Sequence, residues 1–242
     1  MIKKINVSAP GKLMLLGEHA VVYGHPCLVT AVDQRMRLTA TMLDEPTFEL
    51  EAADVDVHGY KKPLSELGKG EIPKGAKFIE IAFLNFFKYH PFTHGVRIET
   101  SSEFSSQFGF GSSSASTVCT IRALSEIFDV KLSPKDIFDL SHKTVLDIQG
   151  KGSGFDVAAA IWGGTTYFMT GGKVIEPLHI TTLPLVVGYT GIKADTVTLI
   201  KQVADNRASQ PQRVDRIFEA IAKLVEQAKE AMLKDDLVRL GK

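Results

Sequence analysis

Small residues and hydroxyls dominate the run Gln107-Phe108-Gly109-Phe110-Gly111-Ser112-Ser113-Ser114-Ala115-Ser116-Thr117. Gly109 and Gly111 permit positive φ and close approach of a ligand to the backbone. Ser112, Ser113 and Ser114 follow at an expected helix start, where N–H groups and the helix dipole favour a phosphate. The plainer reading of the same residues is a serine-capped helix after a flexible loop. No Gly-x-x-x-x-Gly-Lys-Ser/Thr occurs in the chain, so phosphate binding here requires a geometry other than the Walker A loop. A second polar insertion, Gly17-Glu18-His19-Ala20-Val21-Val22-Tyr23-Gly24, sets a carboxylate beside an imidazole between glycines. Such a pair suits either a site or a structural hydrogen bond. A third, Gln149-Gly150-Lys151-Gly152-Ser153-Gly154-Phe155-Asp156, offers a lysine, a serine and an aspartate among glycines. Asp156 there is a functional carboxylate or the cap of the following helix. In the fourth, a strand expected over Leu185–Tyr189 delivers Thr190-Gly191-Ile192-Lys193-Ala194-Asp195-Thr196 to a helix start.

The elements that must position these stretches follow from periodicity. Short strands are expected at Ile5–Ser8 and Lys12–Leu16 around a Pro10-Gly11 turn, then at Leu28–Val32, Met36–Met42 and Thr47–Glu51. Residues 54–74 read as a short strand plus a polar surface excursion. Phe78, Ile79, Ile81, Ala82, Leu84, Phe86 and Phe87 give a helix ending near His90-Pro91. Gly95–Thr100 alternates as a strand, and Ala115, Val118, Cys119, Ile121, Leu124 and Ile127 recur at helical spacing. Ser133 and Pro134 start another helix through Ile137, Leu140, Val145 and Leu146. A helix from Ala158, a strand over Thr165–Thr170, a helix over Thr196–Ala204 and a linker over Asn206–Pro211 come next. A long helix over Val214–Leu233 has Ile217, Ile221, Leu224, Ala228 and Met232 as its stripe, and a new helical start lies at Leu237–Leu240.

The 242 residues suffice for one large domain or two small ones, and 44% hydrophobic with 23% charged residues is ordinary globular composition. Lys+Arg and Asp+Glu both number 28, which argues against a broad nucleic-acid or membrane footprint. Cys27 and Cys119, the two cysteines, read as small core residues in a reducing compartment. No apolar run approaches the ~20 residues of a membrane span, and no apolar stretch follows the start to make a signal peptide. A cytoplasmic protein is expected.

Taken together, the four stretches resemble the GHMP kinase superfamily. Ser8-Ala9-Pro10-Gly11-Lys12-Leu13-Met14-Leu15-Leu16-Gly17-Glu18-His19-Ala20-Val21-Val22-Tyr23-Gly24 is close to the mevalonate kinase form, and Gly109-Phe110-Gly111-Ser112-Ser113-Ser114-Ala115 is similar to the family's phosphate loop. Ser153-Gly154-Phe155-Asp156 looks like the catalytic-aspartate segment, and Gly188–Thr196 like the substrate-side segment. The resemblance implies ATP- and Mg²⁺-dependent phosphoryl transfer to the primary hydroxyl of mevalonate. It implies that Asp156 accepts the acceptor's hydroxyl proton, or orients and stabilises it with late proton transfer. Lys12 would sit beside Asp156, depress its pKa and stabilise the transferred charge. Gly109, Phe110, Gly111, Ser112, Ser113 and Ser114 would cradle the triphosphate, with Ser113 on Mg²⁺. Glu18 would orient His19 toward the acidic substrate, and Thr190, Lys193 and Thr196 would line the same pocket.

Three departures qualify the match. Where mevalonate kinases usually carry a Mg²⁺-binding glutamate, this chain has Val145, and Asp147 is the nearest carboxylate to replace it. The segment from Gln149 to Ala160 looks more like phosphomevalonate kinases, which makes phosphomevalonate kinase the runner-up activity. The family's late glycine-rich motif is absent, so the chain is expected to be a C-terminally short member, with an exposed edge and apolar face favouring association, such as a homodimer, or poor stability. A non-catalytic ligand-binding protein on the same fold is the reading from a different class. The implied architecture is α+β in two domains. Residues 1–170 would form a ribosomal S5 domain 2-like N-terminal part with the phosphate loop, and 171–242 an incomplete ferredoxin-like C-terminal part.

Overall fold

The computed structural model describes residues 3–180, 182–192 and 196–241. The chain divides into two compact units. One comprises residues 1–11, 32–106 and 110–152; the other comprises 12–31, 107–109 and 153–242.

Strands β1 (Lys4–Leu16) and β2 (Pro26–Leu43) each run through both units. They are longer than the short strands expected from the sequence. The Pro10-Gly11 turn signal is overridden because Gly11 serves close approach: a Cβ there would lie 3.0 Å from Val32 Cγ2 and 3.2 Å from Phe104 and Phe110.

In the first unit, β3 (Thr47–Ala52) pairs antiparallel with β4 (Val57–Pro63) and parallel with β5 (Gly95–Ser102), and β5 pairs antiparallel with β2. Alternation decides the faces. Phe48, Leu50 and Ala52 point into the core, while Glu49 on the opposite face bonds Arg97, its register partner, at 2.7 Å. Helices α1 (Lys77–Tyr89), α2 (Ser112–Ile127) and α3 (Pro134–Gln149) contribute Phe83, Phe86, Ile121, Leu124 and Phe138 to the buried set. Phe48 meets Phe83 at 5.1 Å between ring centroids. The start of α3 is a capping box: Ser133 Oγ accepts from Asp136 N, and Asp136 Oδ2 accepts from Ser133 N at 2.8 Å.

In the second unit, the first part of β2 pairs antiparallel with β6 (Thr165–Met169), which pairs antiparallel with β7 (Val174–Leu178). Helices α4 (Phe155–Trp162), α5 (Thr196–Ser209), α6 (Pro211–Leu233) and α7 (Leu237–Leu240) complete it. Leu28, Tyr167, Leu178, Val225, Ala228 and Met232 form its core.

Three expectations are corrected in this unit. The buried side of α6 is Phe218, Val225, Ala228, Ala231 and Met232, whereas Ile217 and Leu224 are exposed. The apolar stripe is wider than one seam, and tertiary contact selects the side headed by Phe218, which stacks on Tyr23. The linker over 206–211 shrinks to Gln210, because Arg207 and Ala208 continue a helix well and Pro211 is tolerated as a first helical residue. Residues 185–189 are exposed and pair with no strand among the described residues. A β-prone sequence needs a ladder partner to become a strand. No described helix is long and apolar enough to cross a membrane.

Candidate active site

The Gly-Glu-His stretch links the end of β1 to β2 in a constrained turn. Gly17 has φ +100°, and a Cβ there would lie 2.5 Å from Cys27 Cβ, 2.6 Å from Cys27 Cα and 2.7 Å from the Pro26 carbonyl. Only glycine meets both demands. His19 has φ 60° and ψ −49°, and Ala20 N–H donates to the Glu18 carbonyl at 2.7 Å. This is the rare γ-turn with positive φ at its centre. It is held from both sides: Val21 N–H donates to the Gly17 carbonyl at 3.0 Å, Ala20 and Val21 are buried, and the Thr170 hydroxyl donates to the Val21 carbonyl. Backbone strain of this type costs ~1–3 kcal/mol and persists only where its surroundings enforce it. The turn leaves Glu18 exposed and His19 half-buried.

Asp156 lies in the first turn of α4. The helix is capped by Gly154 with φ +91°, so Asp156 is not the N-cap. Asp156 Oδ1 accepts from Val157 N–H at 3.1 Å, and the helix dipole favours its charge there. Gly171 N–H donates to the Ser153 carbonyl at 2.9 Å, which ties this turn to the end of β6.

Lys12 on β1 joins these parts. Its Nζ donates to the Gly109 carbonyl at 2.8 Å and sits 5.3 Å from the centre of the Phe155 ring. The side chain is half-buried, and desolvation is the largest influence on its ammonium, lowering its pKa below the ordinary lysine value. The charges of Asp156 and then Glu18 act in the opposite direction. Lys12, Glu18, Asp156 and the Gly109 carbonyl therefore form one electrostatic group. It is a cation desolvated enough to act strongly, with a carboxylate close enough to compensate it. Cys27, under Gly17, is completely buried. Burial first, and Asp156's charge second, push its thiol up to about 12, so it packs and does not react.

Phe108 and Tyr189 approach to 5.1 Å between ring centroids, which sets the exposed Thr190 segment beside the start of the glycine loop. Lys193 lies outside the described residues, and Thr196 is the first residue of α5.

In the first unit, Gly111 with φ +76° and ψ +35° is the N-cap of α2, so Ser112, Ser113 and Ser114 lie inside the first turn and do not cap it. This replaces the serine-capped reading. A glycine cap supplies no side-chain acceptor, which suits an anion accepting from the first-turn N–H groups. At Gly109, which belongs to the second unit, a Cβ would meet nothing within 4 Å. Phe110 packs on Phe104 at 5.9 Å, and the Ser113 carbonyl accepts from the Ser116 and Thr117 hydroxyls.

The metal candidates are less organised. Val145 is buried, with Gly152 packed close to it. Asp147 accepts from Lys143 Nζ at 2.7 Å and from Asn85 Nδ2 at 2.9 Å. Burial opposes its charge, but the Lys143 and Asn85 bonds outweigh burial and hold its carboxyl below the usual range. Among the described residues no three His, Cys, Asp or Glu side chains form a metal-binding group. The sequence did not single out the Gly109 carbonyl as the partner of Lys12, or the close approach of Gly17 to Cys27; the glycine ahead of Glu18 was the only local sign of the latter.

The family model for the GHMP kinases N terminal domain matches residues 77–164. A mevalonate kinase of Pyrococcus horikoshii is 33% identical over the whole of this chain and 75% of its own length. A solved protein from Listeria innocua is 25% identical and covers 98% of this chain and 75% of its own, with TM-score 0.83. The mevalonate kinase of L. major, solved in complex with R-mevalonate, shares the fold at 23% identity and TM-score 0.76, covering 99% of this chain and 72% of its own. With the Lys12, Glu18 and Asp156 group in the second unit, the glycine-capped α2 in the first, and relatives of this identity and coverage, the chain belongs to the mevalonate kinase family of the GHMP kinases.

Proposed function

We propose that this protein transfers the γ-phosphoryl group of ATP to the primary hydroxyl of mevalonate, giving 5-phosphomevalonate. The observation that carries the reading is the half-buried Lys12 ammonium, compensated by Asp156 and Glu18 and bonded to the Gly109 carbonyl of the glycine loop. Phosphoryl transfer asks the protein chiefly for alignment and charge, and this group supplies both. Asp156 takes the hydroxyl proton as the new O–P bond forms and the bond from the γ-phosphorus to its bridging oxygen breaks. If proton transfer is late, the same carboxylate orients the hydroxyl through a hydrogen bond. Lys12 steadies the negative oxygens of the moving group, and the Asp156 carboxylate compensates its charge.

First-turn N–H groups of α2 and the glycines before them hold the triphosphate. Ser113 and Asp147 are the candidate Mg²⁺ contacts. Mg²⁺ is commonly held by one or two carboxylates together with substrate phosphates; Asp147 would have to exchange its Lys143 and Asn85 bonds for the ion, so the nucleotide phosphates would supply most of the ion's other ligands. When bound, the metal neutralises charge on the phosphates. His19, on its constrained turn, faces the acid with Thr190, Lys193 and Thr196. Two free buried thiols, Cys27 and Cys119, favour a cytoplasmic setting.

The test is coupled ADP release with ATP and Mg²⁺, offering mevalonate and 5-phosphomevalonate separately, with Asp156→Asn alongside. Turnover on mevalonate that falls ~10²–10⁴-fold in the variant supports the reading. Turnover confined to the phosphorylated acid would assign the substrate to the aspartate segment and not to the Glu18-His19 turn. Nucleotide binding without turnover on either acid would favour a non-catalytic binder.

A further inference from the structure

Helix α5 is held to its unit by a thin seam. Of its described side chains, only Ile200, Val203 and Arg207 are half-buried; the rest are exposed. Their spacing of three and four places them on one face. Arg207 makes two specific contacts across this seam. Its Nε donates to Asp215 Oδ1 on α6 at 2.7 Å, and its guanidinium lies 5.0 Å from the centre of the Tyr23 ring. Tyr23 stacks on Phe218 of α6, with centroids 4.7 Å apart and planes 21° apart, and Phe218 is buried. The contact lies at the surface, where Tyr23, Ala204, Arg207, Ala208 and Pro211 border an open pocket of about 350 Å³. The position of α5 therefore depends on Arg207 more than on apolar burial.

Both ends of this link lead to substrate-side residues. Tyr23 closes the 3-10 turn that begins immediately after His19, and α5 begins at Thr196. We propose that Arg207 is a positioning residue: through Tyr23 and Asp215 it sets the Glu18-His19 turn and the start of α5 at a fixed distance from each other, and so tunes affinity for the acid. This rests on the function proposed above. The guanidinium is suited to the role because it can stack on an aromatic ring and bond a carboxylate at the same time, which an ammonium does poorly.

The experiment compares wild type, Arg207→Ala, Arg207→Lys, Tyr23→Leu and the Arg207→Ala/Tyr23→Leu pair by steady-state kinetics and by amide hydrogen exchange without ligand. Arg207→Ala is expected to raise KM for mevalonate about tenfold, equivalent to ~1.4 kcal/mol, with KM for ATP and kcat unchanged. Arg207→Lys should recover only part of the loss, and the double variant should be no worse than Arg207→Ala alone. Exchange should quicken both in α5 and over residues 17–24. An equal rise in both KM values, a fall in kcat alone, or quickened exchange confined to α5 would each overturn the proposal. If wild type does not turn over mevalonate, the function reading fails, and the exchange data still decide the link: quickening at both segments upholds it and quickening at α5 alone refutes it.

Discussion

Gly17→Ala is the sharpest perturbation available, because its cost can be split with a control in the same motif. At Gly17 an added methyl meets three atoms inside 2.8 Å, two of them backbone atoms, at a φ of +100°. At Gly24, with φ +89°, the methyl meets nothing within 4 Å. Both substitutions force an L-residue into positive φ, costing ~1–2 kcal/mol each. Both also restrict the unfolded chain, which offsets ~0.4–1 kcal/mol. Gly17→Ala alone must displace Cys27 or the Pro26 carbonyl, adding ~1–3 kcal/mol by analogy with overpacked cores. The difference between the two variants is thus ~1–3 kcal/mol, a large share of a typical ~5–15 kcal/mol total. At ~2–4 °C per kcal/mol for a chain of this size, Gly17→Ala should melt ~2–12 °C below Gly24→Ala. Urea unfolding followed by circular dichroism reads the same difference as a shift in midpoint at constant slope. The displacement also moves His19, two residues on, and ~1 Å of misplacement can cost ~10²-fold in turnover. Equal midpoints for the two variants would refute the steric account of Gly17 and, with it, the claim that Cys27 buttresses the turn.

Other outcomes follow from named contacts. Glu18→Gln removes a charge that raises the Lys12 pKa. If activity needs the Lys12 ammonium, the alkaline limb of the kcat/KM profile must move to lower pH in the variant; an unmoved or raised limb contradicts the coupling. Glu80, fully buried on α1, accepts from Tyr60 Oη at 2.6 Å, Gly68 N at 2.8 Å and Lys62 Nζ at 2.9 Å. Glu80→Ala strands these donors and should cost ~3–5 kcal/mol, measured by denaturant titration. Cys27 and Cys119 are both buried with thiols pushed up to about 12, burial being the first cause in each. An aromatic disulfide reagent at pH 8 should find neither thiol in the native protein and both in urea; rapid native labelling would show that the core around Gly17 opens.

Much was legible from the chain alone because it was local. Alternation in Thr47–Glu51, the Ser133 N-cap with Pro134 and the apolar spacing of α2 are satisfied by neighbours a few residues away, so their signals survive in any tertiary setting. The Gly-Glu-His run, the glycine loop and the Asp156 segment were recognisable for a related reason, since positive φ, N–H-rich turns and charged side chains in apolar stretches each demand particular residue types. What the chain could not show were decisions made by distant partners. The ladder absent from 185–189, the side of α6 that is buried, and the choice of Gly111 over a serine as helix cap depend on packing and backbone torsions that no local pattern encodes. Lys12 is the clearest case. Its resemblance to a family residue was visible in the sequence, but its acceptor, the Gly109 carbonyl, is 97 residues away. The desolvation that lowers its pKa exists only once folding removes water from around it.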